Sequence, residues 1–393
     1  DSHSGLTGMS DTMKPGSINE LNLSEDVAFR VVFSASVPAA KQRYWRGLVL
    51  EQYQMGTWKE HREDEVIENQ IRYSPDDVVE YSILQEASNK KWIFALDIPL
   101  SRPADLVWGR GQTLRSSGTL KERKEQKLQS ATDYEFVGVT EKERQRNLDT
   151  SSVTGERVKQ LARELYSNSS SNNEYINSVL SFYRNNNFIY SLQPPLLGEH
   201  PLETFMLDTR KGYCEHYASS FTMMMRLAGI PARVVIGYQG GEWNEQGGYL
   251  IVRQSDAHAW SEVWNEKRGW IRVDPTSAVA PERIEYGLTA IRQLVEQGRE
   301  LGNLTGDQLQ SVLSGSLLNK AIKDLRLFWD GVNTRWYKCV IDYGAENQSG
   351  LLKWIGFAQT NWSKLVYLLL ALVSVVISLQ AWFLFHRKKI VDP

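Results

Sequence analysis

The chain has 393 residues, 41% of them hydrophobic and 23% charged, with a formal net charge of −2 and only two cysteines. This length allows two or three domains with cores of their own, and the near-neutral charge gives no electrostatic reason to expect a nucleic-acid partner. Two cysteines are too few for a disulfide framework.

The first part of the chain reads as a flexible lead-in followed by strands. Residues 1–18 are polar and rich in Gly and Ser, which is typical of a mobile segment. In residues 27–33 apolar side chains recur at alternate positions, the pattern of a half-buried strand. Short runs of the same kind follow at 44–53, 78–84, 92–98 and 132–139. We predict a β-sandwich-like domain over residues 19–150, with a structural or substrate-presenting role because no cluster of chemically active side chains stands out in it.

The middle of the chain combines helices and strands. Helices are predicted near 155–167 and 173–187, and the segment 188–198 is predicted to be extended because its two adjacent prolines cannot continue a helix. A further helix is predicted over 214–228, where Gly229 and then Pro231 provide a stop signal. These residues and the strands after them define a predicted catalytic domain over 151–280.

Cys214 begins that last helix, in KGYCEHYASSF, and could be a packed thiol, half of a disulfide, a metal ligand or a nucleophile. At 100° per residue it starts an apolar stripe that continues through Ala218, Phe221 and Met225. His216 lies 200° around the helix, so it is a poor base for Cys214, and we expect it to make hydrogen bonds on the outer face. The base must come from elsewhere in the chain. The second cysteine, Cys339, lies in an apolar stretch and is predicted to be packed.

The segment DAHAWSEVW, a short polar loop and GWIRVDPT have the pattern of a β-hairpin. If the loop is 265–269, Trp264 faces Trp270, His258 faces Thr276 and Trp260 faces Asp274. His258 and Asp274 are then diagonal neighbours on one face, about 7–8 Å apart at the backbone and within side-chain reach. A slip of one residue would put Asp274 on the other face.

These positions predict a nucleophile, Cys214, a base, His258, and a carboxylate, Asp274, that orients the imidazole. A nearby imidazolium and a helix N-terminus lower a thiol pKa, so we expect a readily ionised sulfur. The backbone N–H of Cys214 is the first oxyanion donor, with Tyr190 or Gln193 as candidate second donors. The alternatives are a buried structural cysteine, a histidine packed beside Trp260, and an aspartate that caps the end of its strand. A zinc site at the three residues is improbable, and we expect no metal and no cofactor.

The C-terminal part has the features of a stalk and a membrane anchor. Helix is predicted to dominate a stalk over 281–360. Residues 365–385 are 21 positions without a charge, enough to span about 31 Å as a helix. The basic run 386–389 follows them and places the C-terminus in the cytoplasm by the positive-inside rule. We therefore predict a transmembrane helix and short tail over 361–393, with the preceding domains extracytoplasmic.

Four segments, GYCEHYA, GIPARVVIGY, DAHAWSEVW and GWIRVDPT, occur in this order and resemble the core of the transglutaminase-like cysteine superfamily. With WIFALDIP, FIYSLQPPLLG, GYQGGEWN and VDPTSAVAPERI, the likeness extends to bacterial inner-membrane TgpA-type proteins and covers the chain from about residue 20. The family triad, carried over, falls on Cys214, His258 and Asp274. Such proteins carry several N-terminal spans, and we expect these spans to lie in sequence preceding Asp1.

The predicted fold class is α+β: a papain/transglutaminase-like core, in which the Cys helix packs on an antiparallel sheet, between the β-rich domain and the stalk. The resemblance implies a membrane-anchored acyltransferase that forms a thioester from a glutamine carboxamide or peptide carbonyl and passes it to an amine or to water. The alternative is a non-catalytic cell-envelope scaffold on the same fold. Expected partners are a protein or peptide substrate, with envelope proteins and peptidoglycan peptides as candidates, and the lipid bilayer of the inner membrane, with the catalytic domain periplasmic.

Overall fold

The structure is a computed structural model that describes residues 9–15, 24–61, 70–137, 140–153 and 155–285, together with residues 287, 327, 330, 331 and 334. Its contacts divide the chain into two compact units, Asp1–Ile322 and Lys323–Pro393. All the elements named below lie in the first unit.

The described strands are short and numerous. In chain order they are β1 (Thr12–Met13), β2 (Val27–Phe33), β3 (Tyr44–Leu50), β4 (Gln52–Gln54), β5 (Thr57–Lys59), β6 (Gln70–Arg72), β7 (Val78–Gln85), β8 (Trp92–Ile93), β9 (Ala95–Leu96), β10 (Ile98–Pro99), β11 (Leu106–Gly109), β12 (Thr113–Ser116), β13 (Lys124–Ala131), β14 (Glu135–Val137), β15 (Ile189–Tyr190), β16 (Lys211–Gly212), β17 (Ala232–Gln239), β18 (Glu242–Asn244), β19 (Tyr249–Arg253), β20 (Ala257–Asn265) and β21 (Gly269–Val273).

The helices cluster in the middle of the chain. They are α1 (Glu141–Arg146), α2 (Glu156–Ser167), α3 (Asn172–Asn185), the single turn α4 (Pro201–Glu203) and α5 (Cys214–Leu227). A π-helical turn, Thr204–Thr209, continues α4, and 3₁₀ turns occupy Ala40–Gln42, Pro75–Asp77, Gln254–Asp256 and Pro275–Ala278. The predicted helices at 155–167, 173–187 and 214–228 are confirmed to within two residues at each end.

Two larger sheets organise the fold, and both join the regions before and after residue 150. The five-stranded antiparallel sheet has the order β21-β20-β17-β3-β9, so two of its strands come from the N-terminal region. The six-stranded sheet, β10-β13-β7-β2-β19-β18, takes its last two strands from beyond residue 240. The predicted boundary between 150 and 151 therefore does not separate two independent cores, because strand pairing on both sides of it builds the same sheets.

The structure also describes smaller sheets of two or three strands. They are β1-β5-β4, β11-β12-β8, β14-β6 and the parallel pair β15-β16. The strands predicted at 27–33, 44–53, 78–84 and 132–139 are present, and the run predicted at 92–98 is divided into β8, β9 and β10.

β17 forms the centre of the five-stranded sheet, and every one of its residues is buried. At Gly237 the pairing with β3 shifts by one residue. A Cβ added at Gly237 would lie 1.9 Å from the carbonyl oxygen of Trp45, so only glycine allows the two strands to approach this closely here. On its other side Gly237 pairs with His258 of β20. The residue that allows β17 and β3 to approach closely is therefore also the partner of the histidine in the sheet.

α5 is buried from Cys214 to Arg226 on all of its faces. The sequence predicted a single apolar stripe, but the helix packs against β17 and β20 on one side and against α2 and α3 on another. Met223, Met224 and Met225 are fully buried in the main core. Burial on every face, which here includes the polar Glu215, His216 and Arg226, indicates a helix between layers rather than at a surface.

The hairpin of β20 and β21 has the predicted register. Trp264 pairs with Trp270, and the ladder runs from the Asn265–Gly269 pair to the Ser261–Val273 pair. The predicted pairs beyond it, His258 with Thr276 and Trp260 with Asp274, do not form, because the chain turns away at Asp274 into the 3₁₀ turn. Pro275 begins that turn and lacks the N–H that a continuing ladder would need.

The predictions for the C-terminal part lie almost entirely outside the described residues. Residues 281–285, 287, 327, 330, 331 and 334 are helical, whereas the rest of the predicted stalk and the predicted span at 365–385 fall in parts that the structure does not describe. Within the described ranges, none of the helices combines the length and the apolar character needed to cross a bilayer.

A buried ion network lies on one face of the five-stranded sheet. Glu262 and Arg233 are fully buried and form an ion pair at 2.8 Å. Glu262 also pairs with the buried guanidinium of Arg46, and Arg233 reaches Glu143 at 2.8 Å. One carboxylate, on β20, thus pairs with two buried cations, Arg46 on β3 and Arg233 on β17.

We predict that Glu262→Gln destabilises the protein by about 3–5 kcal/mol, because it leaves two buried guanidinium groups without their shared counter-charge. Urea unfolding followed by far-UV circular dichroism measures the loss. The matched control is Glu266→Gln on the same hairpin, where the glutamate is 68% exposed and pairs with Arg144. That change should cost less than about 1 kcal/mol. Equal stability of the two variants would contradict a structural role for the network.

Candidate active site

Cys214 is the first residue of α5 and is completely buried. It follows the extended Tyr213, and Gly212 before that lies in the parallel pair of β15 and β16. A Cβ at Gly212 would lie 2.6 Å from His216 and 2.7 Å from Phe205, so the chain can enter the helix this tightly only through a glycine. The local sequence therefore places the sulfur at a fixed point, at the positive end of the helix.

α5 is fastened to β20 by polar contacts between the two elements. The hydroxyl of Ser261 donates to the carbonyl oxygen of Ala218 at 3.1 Å and lies 2.9 Å from the hydroxyl of Thr222. At its other end the helix stops at Ala228, and Gly229 follows with a φ of 77°, as the stop signal predicted. These hydrogen bonds thus join α5 to the strand that carries His258.

His258 and Asp274 are in direct contact. Nε2 of His258 lies 2.7 Å from Oδ2 of Asp274, and both side chains are almost entirely buried. The other carboxylate oxygen, Oδ1, accepts the backbone N–H of Thr276 at 3.0 Å and so caps the 3₁₀ turn. Asp274 therefore combines the two alternatives considered from sequence: it caps the end of its strand and it contacts the imidazole.

Tyr44, on β3, supports the carboxylate from the side. Its hydroxyl donates to Oδ2 of Asp274 at 2.7 Å, on the same oxygen that contacts His258. The guanidinium of Arg272 lies over the ring of Tyr44, 4.1 Å from its centroid, and pairs with the buried Asp97. This chain of contacts holds the His258–Asp274 pair through strands from both ends of the sequence.

The sulfur of Cys214 meets β20 one residue beyond the histidine, where the backbone N–H of Ala259 donates to it. Nδ1 of His258 is buried and has no hydrogen-bond partner among the residues that the structure describes. In this structure, therefore, no hydrogen bond joins the imidazole to the sulfur. Because Nε2 contacts Asp274, Nδ1 is nevertheless the only ring nitrogen of His258 that could take a proton from the thiol.

Burial controls the ionisation of the site. It raises the pKa of the Cys214 thiol to about 12, and the neighbouring Glu215 carboxylate raises it further. Burial also lowers the pKa of His258, against the opposing effect of Asp274. The pKa of Asp274 is held below its usual value, because the charge and hydrogen bond of His258 and the hydroxyl of Tyr44 outweigh its own burial. The sequence-based expectation of a lowered thiol pKa is wrong for this closed site, since desolvation outweighs the helix terminus.

His216 differs from the expectation in its position. It is only 2% exposed rather than on an outer face, and burial lowers its pKa to about 4. Its Nδ1 accepts the backbone N–H of Tyr213 at 3.4 Å, and its ring lies 5.4 Å from that of Phe205. A neutral His216 thus satisfies a backbone donor at the helix start, which is a structural role.

Of the two candidate second oxyanion donors, Tyr190 lies near the sulfur and Gln193 does not. Tyr190 is buried, and its pKa is raised first by burial and next by the charge of Cys214, which requires the two groups to be close. Gln193 is exposed. Tyr190 pairs with Gly212 in the parallel ladder, so the strand just before Cys214 fixes its position.

The sequence reasoning missed two residues beside the site, Tyr44 and Arg283. Tyr44 begins the strand YWRGLVL and carries no local signal, because its link to Asp274 spans 230 positions. Arg283 lies in VDPTSAVAPERI, a segment noted for its resemblance but not for its charge. Arg283 is completely buried, and its charge lowers the pKa of Cys214, Tyr190 and His258. In the described part of the chain, no group of three or more His, Cys, Asp or Glu side chains is arranged to hold a metal ion.

Comparison with known proteins places this geometry in a family. Residues 159–275 match the model of the transglutaminase-like superfamily, and residues 1–141 match that of the TgpA N-terminal domain. The crystal structure of the periplasmic domain of TgpA from Pseudomonas aeruginosa is similar, with a TM-score of 0.68 and 37% identity. The match covers 72% of this chain and 99% of that one.

Two curated relatives agree with this assignment. A protein-glutamine gamma-glutamyltransferase of Pseudomonas aeruginosa is 35% identical over 364 residues, which is 90% of this chain and 52% of the relative. YebA of Bacillus subtilis, whose function is uncharacterized, is 33% identical over 128 residues, 31% of this chain and 17% of the relative. The chain thus spans about half the length of the first relative and less of the second.

The superfamily and the named relative support an enzymatic function. With the agreement of both domain models and of the TgpA crystal structure over nearly its whole length, the chain belongs to the TgpA-type proteins of the transglutaminase-like superfamily.

Proposed function

We propose that the chain is a membrane-anchored cysteine acyltransferase whose thiol, Cys214, forms a thioester with glutamine carboxamide groups of a protein or peptide. The observation that carries the proposal is the 2.7 Å contact between His258 and Asp274, which leaves Nδ1 of the imidazole without a hydrogen-bond partner among the described residues, on the strand against which the Cys214 helix packs. A buried imidazole with one nitrogen fixed by a carboxylate and the other free is the arrangement of a general base.

The first half-reaction moves one proton and exchanges one bond. Nδ1 of His258 takes the proton of the Cys214 thiol as the sulfur attacks the carboxamide carbon. The backbone N–H of Cys214 and the hydroxyl of Tyr190 donate to the oxygen that becomes negative. The imidazolium then gives its proton to the departing nitrogen, the C–N bond breaks, and ammonia leaves a thioester behind.

The second half-reaction decides between crosslinking and hydrolysis. A lysine amine attacks the thioester carbon, His258 takes a proton from it, and the C–S bond breaks to give an isopeptide and the restored thiol. Water in place of the amine gives glutamate. The relative named protein-glutamine gamma-glutamyltransferase supports transfer to an amine. The TgpA neighbour, which is a periplasmic domain, supports a periplasmic catalytic unit with the predicted 365–385 span as its anchor.

The proposal is tested by incubating the purified chain with a glutamine-donor peptide, with and without a primary amine, and measuring ammonia release and amine incorporation by mass spectrometry. Cys214→Ala should abolish both products, and His258→Ala should reduce their rates on the order of 10²–10⁴-fold because general-base assistance is lost. The matched control, Cys339→Ala, should keep the full rate. Absence of products in the wild type, with Cys214 and Cys339 alkylated equally slowly, would instead favour the non-catalytic scaffold.

We predict that the acid limb of the kcat/KM profile lies below pH 6.5, the ordinary imidazole value. The reaction needs neutral His258, and burial lowers the pKa of this group, so the active form persists as the pH falls. In Asp274→Asn the carboxylate that raises this pKa is gone, and the limb should move to still lower pH while kcat falls. Ammonia release measured between pH 4 and 9 checks both shifts. A limb above pH 6.5 in the wild type would contradict the assignment of His258 as the base.

We predict that Tyr44→Phe lowers kcat about tenfold with a smaller effect on KM, because the loss of one hydrogen bond to a charged group is worth about 1.5–3 kcal/mol. The hydroxyl contacts Asp274 rather than the space next to Cys214, so substrate binding should change little. Tyr53→Phe, on β4, is the control, since that buried tyrosine belongs to the separate β1-β5-β4 sheet, where its ring packs against Trp58. Unchanged kcat in Tyr44→Phe would show that Asp274 needs no support from β3.

A further inference from the structure

Arg283 is a buried cation without an anionic partner in contact. Its side chain is completely buried, and its Nη1 donates to Oε1 of Gln239 at 3.0 Å. Its Nη2 contacts the carbonyl oxygens of Asp256 and Ala257 at 3.4 and 3.5 Å, and its Nε has no partner among the described residues. No carboxylate of the described residues lies within ion-pair distance of it. Moving a guanidinium out of water in this way costs several kcal/mol unless a negative charge offsets it.

The position of Arg283 is fixed by the chain around it. Nε2 of Gln239 donates to the carbonyl oxygens of Ile284 and Ala40, at 2.8 and 3.1 Å, so one glutamine on β17 holds both the backbone and the guanidinium of this segment. These hydrogen bonds fix the position of the Arg283 guanidinium, so its positive charge has a defined place in the fold.

Arg283 and the sulfur of Cys214 approach the same free edge of β20. β21 pairs with β20 only from Ser261 onward, whereas β17 pairs with it from Ala257. The backbone groups of Ala257 and Ala259 share one edge because these directions alternate along a strand. Ala259 N–H donates to the sulfur, and the carbonyl oxygen of Ala257 contacts Arg283. The guanidinium and the thiol are thus neighbours along one short stretch of backbone.

We propose that Arg283 holds the negative charge of the reaction, first on the sulfur of Cys214 and then on the substrate oxygen that forms next to Tyr190. This inference rests on the thiol chemistry of the proposed function. When the thiol proton moves to Nδ1 of His258, the thiolate and the imidazolium appear together inside a buried site. Arg283 provides a second, permanent positive charge that stabilises the thiolate before it attacks, and then the negative substrate oxygen until the C–N bond breaks and the neutral thioester forms.

The charges that face the sulfur come from several elements and act in opposite directions. Arg283 and the N–H of Ala259 lower the pKa of Cys214, whereas burial, Glu215 and Asp274 raise it. Together with burial, the charge of Cys214 raises the pKa values of Tyr190 and Tyr213. Arg283 is the only cation among these groups, so removing it should leave the Ala259 N–H as the one group among them that favours the thiolate.

A competing explanation is that Arg283 serves the buried carboxyl of Asp256 instead. Burial raises the pKa of Asp256 to about 6, and Arg283 is among the groups that lower it. Asp256 is bound chiefly by the backbone N–H of Arg253, which donates to its Oδ2 at 2.9 Å. If Arg283 were there only for Asp256, the ionisation of Cys214 would not depend on it.

The experiment measures the ionisation of the thiol directly, in full-length protein carrying Cys339→Ser so that Cys214 is the single cysteine. The rate of alkylation by iodoacetamide is followed from pH 7 to 10, below the midpoint of thiol ionisation, and the displacement of this rate profile along the pH axis gives the shift of the midpoint between variants. Arg283→Met and Arg283→Gln should raise this midpoint by about one unit or more, a tenfold loss of thiolate at a given pH below it. Arg283→Lys should keep it within half of that shift, because the charge remains.

The controls separate charge from structure. Arg30→Met removes another nearly buried guanidinium, one that pairs with Glu86 on a different sheet, and should leave the midpoint unchanged. Asp256→Asn should leave it unchanged or lower it. An unchanged midpoint in folded Arg283→Met or Arg283→Gln overturns the proposal. So does a shift that Arg283→Lys and Arg30→Met reproduce in full.

A second measurement leaves Arg283 in place, in case its neutral variants do not fold. In a His258→Gln background, which removes the imidazolium, Cys214→Asp imitates the thiolate and Cys214→Asn imitates the neutral thiol. With Arg283 as the counter-charge, the Asp variant should have a Tm at pH 7 equal to or above that of the Asn variant. A Tm several degrees lower overturns the proposal, since an unpaired buried carboxylate is strongly destabilising.

Neither measurement uses an acyl donor, so the two proposals can fail separately. A wild-type protein that releases no ammonia from glutamine peptides, yet shows the midpoint shift in Arg283→Met, contradicts the acyltransferase function and supports the electrostatic role. A protein that makes the isopeptide product with an unshifted midpoint does the reverse.

Discussion

The site depends on a free stretch of strand edge on β20. β21 leaves the ladder after Val273, and Pro275 begins the turn that prevents further pairing. The backbone of Ala257 and Ala259 is therefore open on one side, and the start of α5 can approach it closely enough for the Ala259 N–H to reach the sulfur. If the ladder continued by two more pairs, a strand would occupy the position of Cys214. The end of one hairpin strand thus creates the space for Cys214 and, through Asp274, the partner of the histidine.

Burial of this edge sets the electrostatic behaviour of the site. Desolvation acts against charge on the thiol and on the imidazole alike, so it raises the pKa of one and lowers that of the other. The resting pair is therefore neutral, unlike the ion pair expected from a thiol at a helix terminus. Charge separation becomes favourable only when preorganised donors and cations face it, and within the site these are the helix start, Tyr190 and Arg283.

The sequence predicted the local parts of the site and missed the parts that depend on long-range pairing. The hairpin register followed from the spacing of Trp264 and Trp270, and it brought His258 and Asp274 together as expected. The helix of Cys214 and its stop at Gly229 followed from local propensity. The burial of His216 could not be predicted, because its periodic position gives an outward direction only when one face of the helix is exposed. In this structure other helices cover that face.

Tyr44 shows how strands from before and after the predicted division at residue 150 combine at the site. Alternation of apolar residues identifies β3 as a strand but contains no information on its neighbours, which turn out to be β17 and β9. Because β3 pairs with β17, the hydroxyl of Tyr44 reaches Asp274, and Arg272 on β21 stacks on its ring while it pairs with Asp97 from the N-terminal region. The β-rich region is thus not only a neighbour that presents substrate. It supplies the central sheet with two strands and the carboxylate of the site with one of its hydrogen bonds, so the arrangement around Cys214 requires both regions to fold together.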